Sequence, residues 1–429
     1  MAGKPDIQRP DIRRPDVRRS VQLDSVRGVA AFIVLIYHCS LTMPASWQSA
    51  DQPASLPRYL RPGFLLHYTP LHLLVLGPAC VLLFFVLSGY VLALSLSGGR
   101  FGGYGRFVIR RICRIYIPFA VVIMLSALAW RIVQPTSLPD VSVWFNAEQW
   151  SEFPSAMLLL GHLAMVGTPP LQSLDPPMWS LVVEMRISLI FPLLYFAVTR
   201  HRAAGLAVVA ALYLPACLIL SQRGETMPQS FSSSICGTLA YLPVFAAGIM
   251  LYEKREMLHS LYQSMSVARR CAAALFAILG FALAHRAALW LTAALPSVPF
   301  VRPQVLAGLV SLMFWQVMVG GAAAAIIFMA LYSDICRRVL AARPLQWLGT
   351  VSYSLYLTHM VVLMAAVHAL HAYLPLPAIL GLVIPLALAV AALSYRWIEE
   401  PSIALGRRLA RAPRRTPVIA VPQAPNMSK

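Results

Sequence analysis

Ten apolar runs, each long enough to cross a bilayer, decide what this 429-residue chain can fold into. They lie near residues 29–46, 71–95, 115–133, 181–198, 203–220, 236–251, 270–291, 305–332, 347–371 and 377–397. In hydrocarbon the backbone amides must be satisfied within the protein, and runs of this length do so as helices. The expected fold is therefore an all-α integral membrane protein of about ten transmembrane helices. Composition agrees, since only 12% of the residues are charged and 59% are hydrophobic, too few charges to cover a soluble protein of this size.

An even number of spans puts both termini on one side, and the basic residues say which. With the N-terminus in the cytoplasm, 28 of the 35 Lys and Arg residues fall in inside segments. Arg58, Arg61, Arg223, Arg286 and Arg302 fall outside, while Arg131 and Arg186 lie within spans. This is the positive-inside asymmetry, and it places both termini in the cytoplasm. The net charge of +19 is then a topology signal, and no nucleic-acid partner is expected. The long outer segment 134–178 carries Asp140, Glu148, Glu152 and Asp175 but no basic residue. Trp47, Trp130, Trp144, Trp150, Trp179 and Trp290 fall near outer ends and Trp347 and Trp397 near inner ends, the pattern of an aromatic belt. Trp315 lies inside a span, where packing is the expected role.

Residues 1–22 are expected to form a flexible basic arm, because the repeat PDIQR, PDIRR, PDVRR sets a proline every five residues and offers no apolar face. Such an arm suits an anionic membrane surface. The polar stretch before the first apolar run is too long for an ordinary signal-peptide n-region, so that run is expected to be retained. A membrane domain over 23–401 is followed by 402–429, a basic, Pro-containing segment expected to be disordered and to hold no further catalytic domain. The seven cysteines form no C-x-x-C pair and read as apolar packing residues; no metal site is expected.

Ionisable groups inside spans are costly and mark candidate sites. His38, Glu184, Arg186 and His359 are four such positions. His38 lies about ten residues into the first apolar run, hence about 15 Å deep at 1.5 Å per residue. Either it is a helix–helix hydrogen-bond partner or its neutral imidazole moves protons. The preceding LDSVRG offers Asp24 as a helix cap and Arg27 as an anion ligand, or both as a polar flank. Ser88-Gly89 permits close helix contact or a ligand's approach. Arg106, Arg110 and Arg114 are spaced to share one helical face with Arg111 beside them, which fits either a polyphosphate ligand or a strong stop signal. Glu184 and Arg186 are two residues apart and face different ways, so Glu184 needs a partner on another helix or in a polar cavity. The segment Ser352 to His359, with Tyr353, Ser354, Tyr356 and Thr358, makes the ninth span unusually polar, and Pro401 is expected to end the tenth.

Taken in order, LDSVRG with His38, FFVLSGY, RFVIRRICRIYIP, WSLVVE, SYSLYLTH and YRWIEEP resemble the acyltransferase-3 family of bacterial integral-membrane acyltransferases, which includes O-antigen and nodulation-factor O-acetylases. The resemblance runs from residue 23 to 401. It implies acyl-coenzyme A, most simply acetyl-CoA, as a co-substrate bound from the cytoplasm with no tightly bound cofactor, and a carbohydrate hydroxyl as acceptor towards the outer face. It makes His38 the catalytic histidine, with Glu184 as a second catalytic group on the acceptor side. Arg27, Arg110, Arg111, Arg114 and Ser88 become donor-binding candidates, supported by Asp24, Tyr353 and His359. Arg186 and Glu400 depart from the family pattern, and the first is a candidate for acceptor preference. The alternative is a multispan transporter or exporter of a glycan or small molecule, which predicts an inverted repeat that the sequence does not display. The sequence carries no signal for oligomeric state.

Overall fold

The computed structural model describes residues 20–44, 62–97, 102–148, 150–168, 173–224, 230–295 and 302–411. The arm before Ser20, Trp47, Arg58, Arg61 and the tail beyond Arg411 lie outside the described residues. All regular structure among the described residues is helical. Ten helices are long and apolar enough to cross a membrane: α1 Val21–Thr42, α2 Gly77–Ser97, α3 Tyr104–Val133, α4 Met178–Arg200, α5 Arg202–Arg223, α6 Phe231–Glu253, α7 Val267–Ala293, α8 Pro303–Tyr332, α9 Ser352–Leu370 and α10 Leu376–Leu409. Each corresponds to one of the ten apolar runs. Side chains such as Leu193, Phe276 and Val317 are turned outward, the surface a bilayer would cover.

The helix ends differ from the apolar runs, and the differences have physical causes. Helix α1 starts at Val21, eight residues before its apolar run, with Ser20 rather than Asp24 at the cap position. Asp24 falls in the first turn, where a negative charge suits the helix dipole. This polar turn survives because it packs on protein: Leu23, Ser25, Val26 and Gly28 are buried, and Ser25 Oγ donates to the Leu340 carbonyl at 2.7 Å. His38 is therefore about 25 Å from the start of its helix and close to the opposite end, not ten residues in.

Helix α10 also outruns expectation, because Pro401 does not end it. A π-helical turn at Tyr395–Glu399 precedes Pro401, and a second at Ile112–Tyr116 in α3 precedes Pro118. Proline has no N–H to give the carbonyl four residues back. In both places the residue just before the proline bonds five residues back, Ile117 to Ile112 and Glu400 to Tyr395. The widened turn accommodates the proline and the helix continues. The last stretch, Glu400–Leu409, then packs on α3, where a Cβ on Gly406 would meet Cys113 Cβ at 2.8 Å. The expected disorder from residue 402 thus gives way to helix through Leu409.

Two glycine contacts bring the central helices together. A Cβ on Gly28 of α1 would lie 2.5 Å from the backbone of Gly349, in the short helix Arg343–Thr350 that leads into α9. Gly89 of α2 and Gly248 of α6 likewise press on each other's backbone. Small residues permit such close approach. From the Gly28–Gly349 contact both chains run the same way, and ten residues further along each stand His38 and His359.

Residues 141–148, 150–168 and 173–175 form a cap at the His38 end. Ser142 N–H donates to Thr42 O at 3.1 Å, Trp150 Nε1 to Ser126 Oγ at 3.0 Å and Trp130 Nε1 to the Trp150 carbonyl at 3.1 Å. The aromatic-belt expectation therefore divides. Trp290, Trp347 and Trp397 are exposed, but Trp150 is buried and Trp144 and Trp179 pack, partly buried, against the core. Trp315 packs against the core.

Candidate active site

Helices α1 and α9 bring the two span histidines into contact. His359 Nε2 lies 3.1 Å from His38 Nδ1, with ring centroids 5.0 Å apart. The neighbouring carbonyls assign the protons. His359 Nδ1 is 3.0 Å from the Leu355 carbonyl, which can only accept, so this nitrogen carries hydrogen and Nε2 carries the lone pair. His38 Nδ1 faces that lone pair and the Val34 carbonyl at 2.9 Å, both acceptors. It must therefore carry the second hydrogen, which leaves His38 Nε2 as a base. His359 is fully buried, whereas His38 is only partly so, with Trp144 stacked on its ring at 5.8 Å and Tyr37 edge-on at 5.3 Å.

Towards the arginine-rich end a cavity of about 430 Å³ opens between α1, α2, α4 and α9. Its walls include Arg27, Ser88, Ser180, Glu184, Tyr353 and Tyr356. Glu184 accepts from Ser88 Oγ at 3.1 Å and pairs with Arg111 Nη2 at 3.5 Å, and the same guanidinium nitrogen donates to Ser188 Oγ at 2.7 Å. Tyr356 links this cavity to the histidines: its hydroxyl and that of Ser180 are 2.6 Å apart, and its ring lies 5.9 Å from that of His359.

The expected single arginine face is split. The π-helical turn begins at Ile112, immediately after Arg111, and changes the register of the residues that follow. Arg111 and Arg114 turn into the bundle, where Arg27, Glu184 and Glu399 act on them electrostatically. Arg110 is exposed beside the tail of α10. Glu399, in the other π-helical turn, is buried and accepts from Ser354 Oγ at 2.7 Å. Tyr353 donates to the Ile115 carbonyl at 2.7 Å, tying α9 to the π-helical turn of α3.

Of the residues singled out in the sequence, Arg27, Ser88, Glu184 and Tyr353 thus converge on one cavity, with Arg111 paired to Glu184 behind its wall and Arg114 nearby. His38 and His359 form a separate pair further along. Glu184, expected on the acceptor side, stands instead among the arginines. Arg186 is fully engaged: it donates to Ser234, Thr238, Met165 and Val166 at 2.9–3.2 Å, pinning the 165–168 segment to α6. That is a structural clasp and not a free acceptor-facing charge.

Four participants were not singled out beforehand. Glu399 and Tyr356 sat inside quoted motifs without assigned roles, and Trp144 looked like an interfacial tryptophan. Asp175, counted only as an acidic loop residue, is fully buried and makes no hydrogen bond through either carboxyl oxygen. Burial pushes its carboxyl well above the usual carboxylate range.

Comparison with known proteins adds an independent line. A family model described as an acyltransferase domain matches residues 20–396. An O-acetyltransferase, PaAT-1 of Phomopsis amygdali, is 25% identical over an alignment of 213 residues that covers 42% of this chain and 40% of that protein. The chain thus spans less than half the length of this curated relative. No solved structure matches.

Proposed function

Since this chain belongs to the acyltransferase domain family, we propose that it is a multispan membrane O-acyltransferase that moves an acyl group, most simply acetyl, from acyl-coenzyme A to a carbohydrate hydroxyl. The observation that carries this reading is the proton arrangement at His38, a base held in one tautomer and linked through His359 and Tyr356 to a cavity whose wall includes Arg27.

In this reading the arginine-rich end faces the cytoplasm of a bacterial inner membrane, and both termini lie there. The donor's phosphates meet Arg27, Arg111 and Arg114, since guanidinium groups bind phosphate in bidentate fashion. Glu184 and Ser188 orient Arg111, and Ser88 lies on the cavity wall beside Glu184. The thioester passes the Tyr356 wall towards the histidine pair, and the acceptor hydroxyl arrives from the capped end.

His38 Nε2 takes the hydroxyl proton as the oxygen attacks the thioester carbonyl carbon. The imidazolium so formed shares its Nδ1 hydrogen with the Val34 carbonyl and His359 Nε2, both already in place. Collapse of the tetrahedral intermediate breaks the C–S bond, and the departing thiolate of coenzyme A recovers the proton from His38. The products are an ester and free coenzyme A. His359 acts through His38 and is a positioning residue. Mass spectrometry of surface and secreted glycans from cells with and without the gene tests the acceptor class. Loss of acyl groups from one glycan is expected, and an unchanged pattern contradicts it.

A further inference from the structure

A second cavity lies at the other end of the molecule, beside His38 but away from the arginines. It is a partly open pocket of about 470 Å³, and its walls include Tyr37, Ser40, Leu66, His67, His72 and Val75. Tyr37 is the neighbour of His38 and its ring sits edge-on to that imidazole, so this cavity reaches the reacting group through the Tyr37 ring.

Its charge is unusual for its position. Among the described lining residues none is acidic, while the nearby outer segment carries Asp140, Glu148 and Glu152. His67 and His72 stand with ring centroids 6.1 Å apart, and Arg286 of α7 acts on both. Arg286 donates to the His67 carbonyl and lies 4.7 Å over the Tyr68 ring, fixing the short helix Pro62–Tyr68 that presents His67. His72 is fixed too, through Nε2 at 3.2 Å from the Ala282 carbonyl, and His285 adds a further imidazole nearby. Burial and the neighbouring positive charge hold His67 and His72 below the ordinary histidine range. An anionic group set among them would relieve that crowding and gain charge-assisted hydrogen bonds.

We infer that the cavity between the outer end of α1 and the segment 62–75 binds an anionic group, a carboxylate or a phosphate, carried by the hydroxylic acceptor. The assignment of that ligand as acceptor rests on the acyl-transfer reading; the binding itself does not. A group held between His67 and His72 would lie next to Tyr37 and leave neighbouring hydroxyls of the same molecule facing His38. The acylated position would then be a hydroxyl close to the acidic substituent.

Binding can be measured without any transfer, on the full chain in lipid nanodiscs, using glucuronate, glucose 6-phosphate and glucose as probes. At least one anionic sugar is expected to bind about tenfold more tightly than glucose, the worth of one charge-assisted hydrogen bond. Preference for glucuronate points to a carboxylate and for glucose 6-phosphate to a phosphate. The double variant His67→Asn/His72→Asn should lose the preference while keeping its affinity for coenzyme A. Equal binding of all three probes, or a preference that survives in the double variant, overturns the inference. If that variant no longer binds coenzyme A, diethyl pyrocarbonate labelling of the wild-type protein decides the matter. The preferred sugar must then protect His67 and His72, and unchanged labelling of both counts against the site. Failure of acyl transfer with every acceptor would contradict the proposed function and leave these binding results standing.

Discussion

At the residue scale the account turns on where two protons sit. Replacing His38 by Ala removes the base, and a general base contributes about 10²–10⁴-fold to rate. A loss in kcat of that order, with normal insertion and undiminished coenzyme A binding, is the expected result of a transfer assay. His359 acts differently, because it accepts from His38 and does not meet substrate. His359→Ala leaves the Val34 carbonyl as the remaining acceptor for the His38 Nδ1 hydrogen and withdraws the second support of the imidazolium, so kcat should fall with KM for donor unchanged, and the acidic limb of the pH–rate profile should move. An unchanged profile would reduce His359 to packing. The sequence exposed His38 through its depth in an apolar run and the ordered motifs around it. It could not expose the pairing, because the partner lies 321 positions away and nothing local records that contact. Asp175 stayed hidden for the same reason, since a carboxylate in a polar loop reads as solvated until the cap closes over it.

At the scale of elements, the glycine contact between α1 and the helix Arg343–Thr350 sets the level at which the histidines meet. A side chain at Gly349 would run into the backbone of Asp24 and Ser25. Gly349→Leu should therefore cost about 1–3 kcal/mol through overpacking. It should also lower kcat more than Gly381→Leu, where a Cβ meets nothing within 4 Å. Thermal unfolding in nanodiscs and a transfer assay check both halves. The cap supplies a pH test. His162, buried and bonded to the Leu158 carbonyl, is held down to about 4 from 6.5 by burial. Its folded form takes up a proton less readily than the unfolded form, so its contribution to stability is full above pH 6.5 and lost as pH falls towards 4. The melting temperature should drop over that window, and by less in His162→Gln. Apolar runs made all ten helices legible, but not their ends. The first turns of α1 are polar yet packed on protein, and hydropathy cannot tell such a turn from a solvated flank. The π-helical turns left only an indirect trace, a proline inside a pattern that otherwise continues, and they dispersed an arginine face drawn on α-helical spacing.

At the scale of the whole molecule, the two cavities lie at opposite ends with the histidine pair towards one of them, so donor and acceptor would arrive from different sides of the membrane. This arrangement requires the topology read from the arginines, with both termini and the 106–114 segment in the cytoplasm. Reporter fusions in the 253–267 and 332–343 connections should report inside, and those in the 133–143 and 370–376 connections outside. The opposite pattern would separate the arginine cavity from cytoplasmic acyl-coenzyme A and remove the proposed donor. The central claim is tested most directly by purified protein in proteoliposomes supplied with isotope-labelled acetyl-CoA and a glycan extract, comparing wild type with His38→Ala. The account predicts labelled ester in the glycan with the wild type and at most about a hundredth of that rate with the variant. Equal labelling by the two would contradict it.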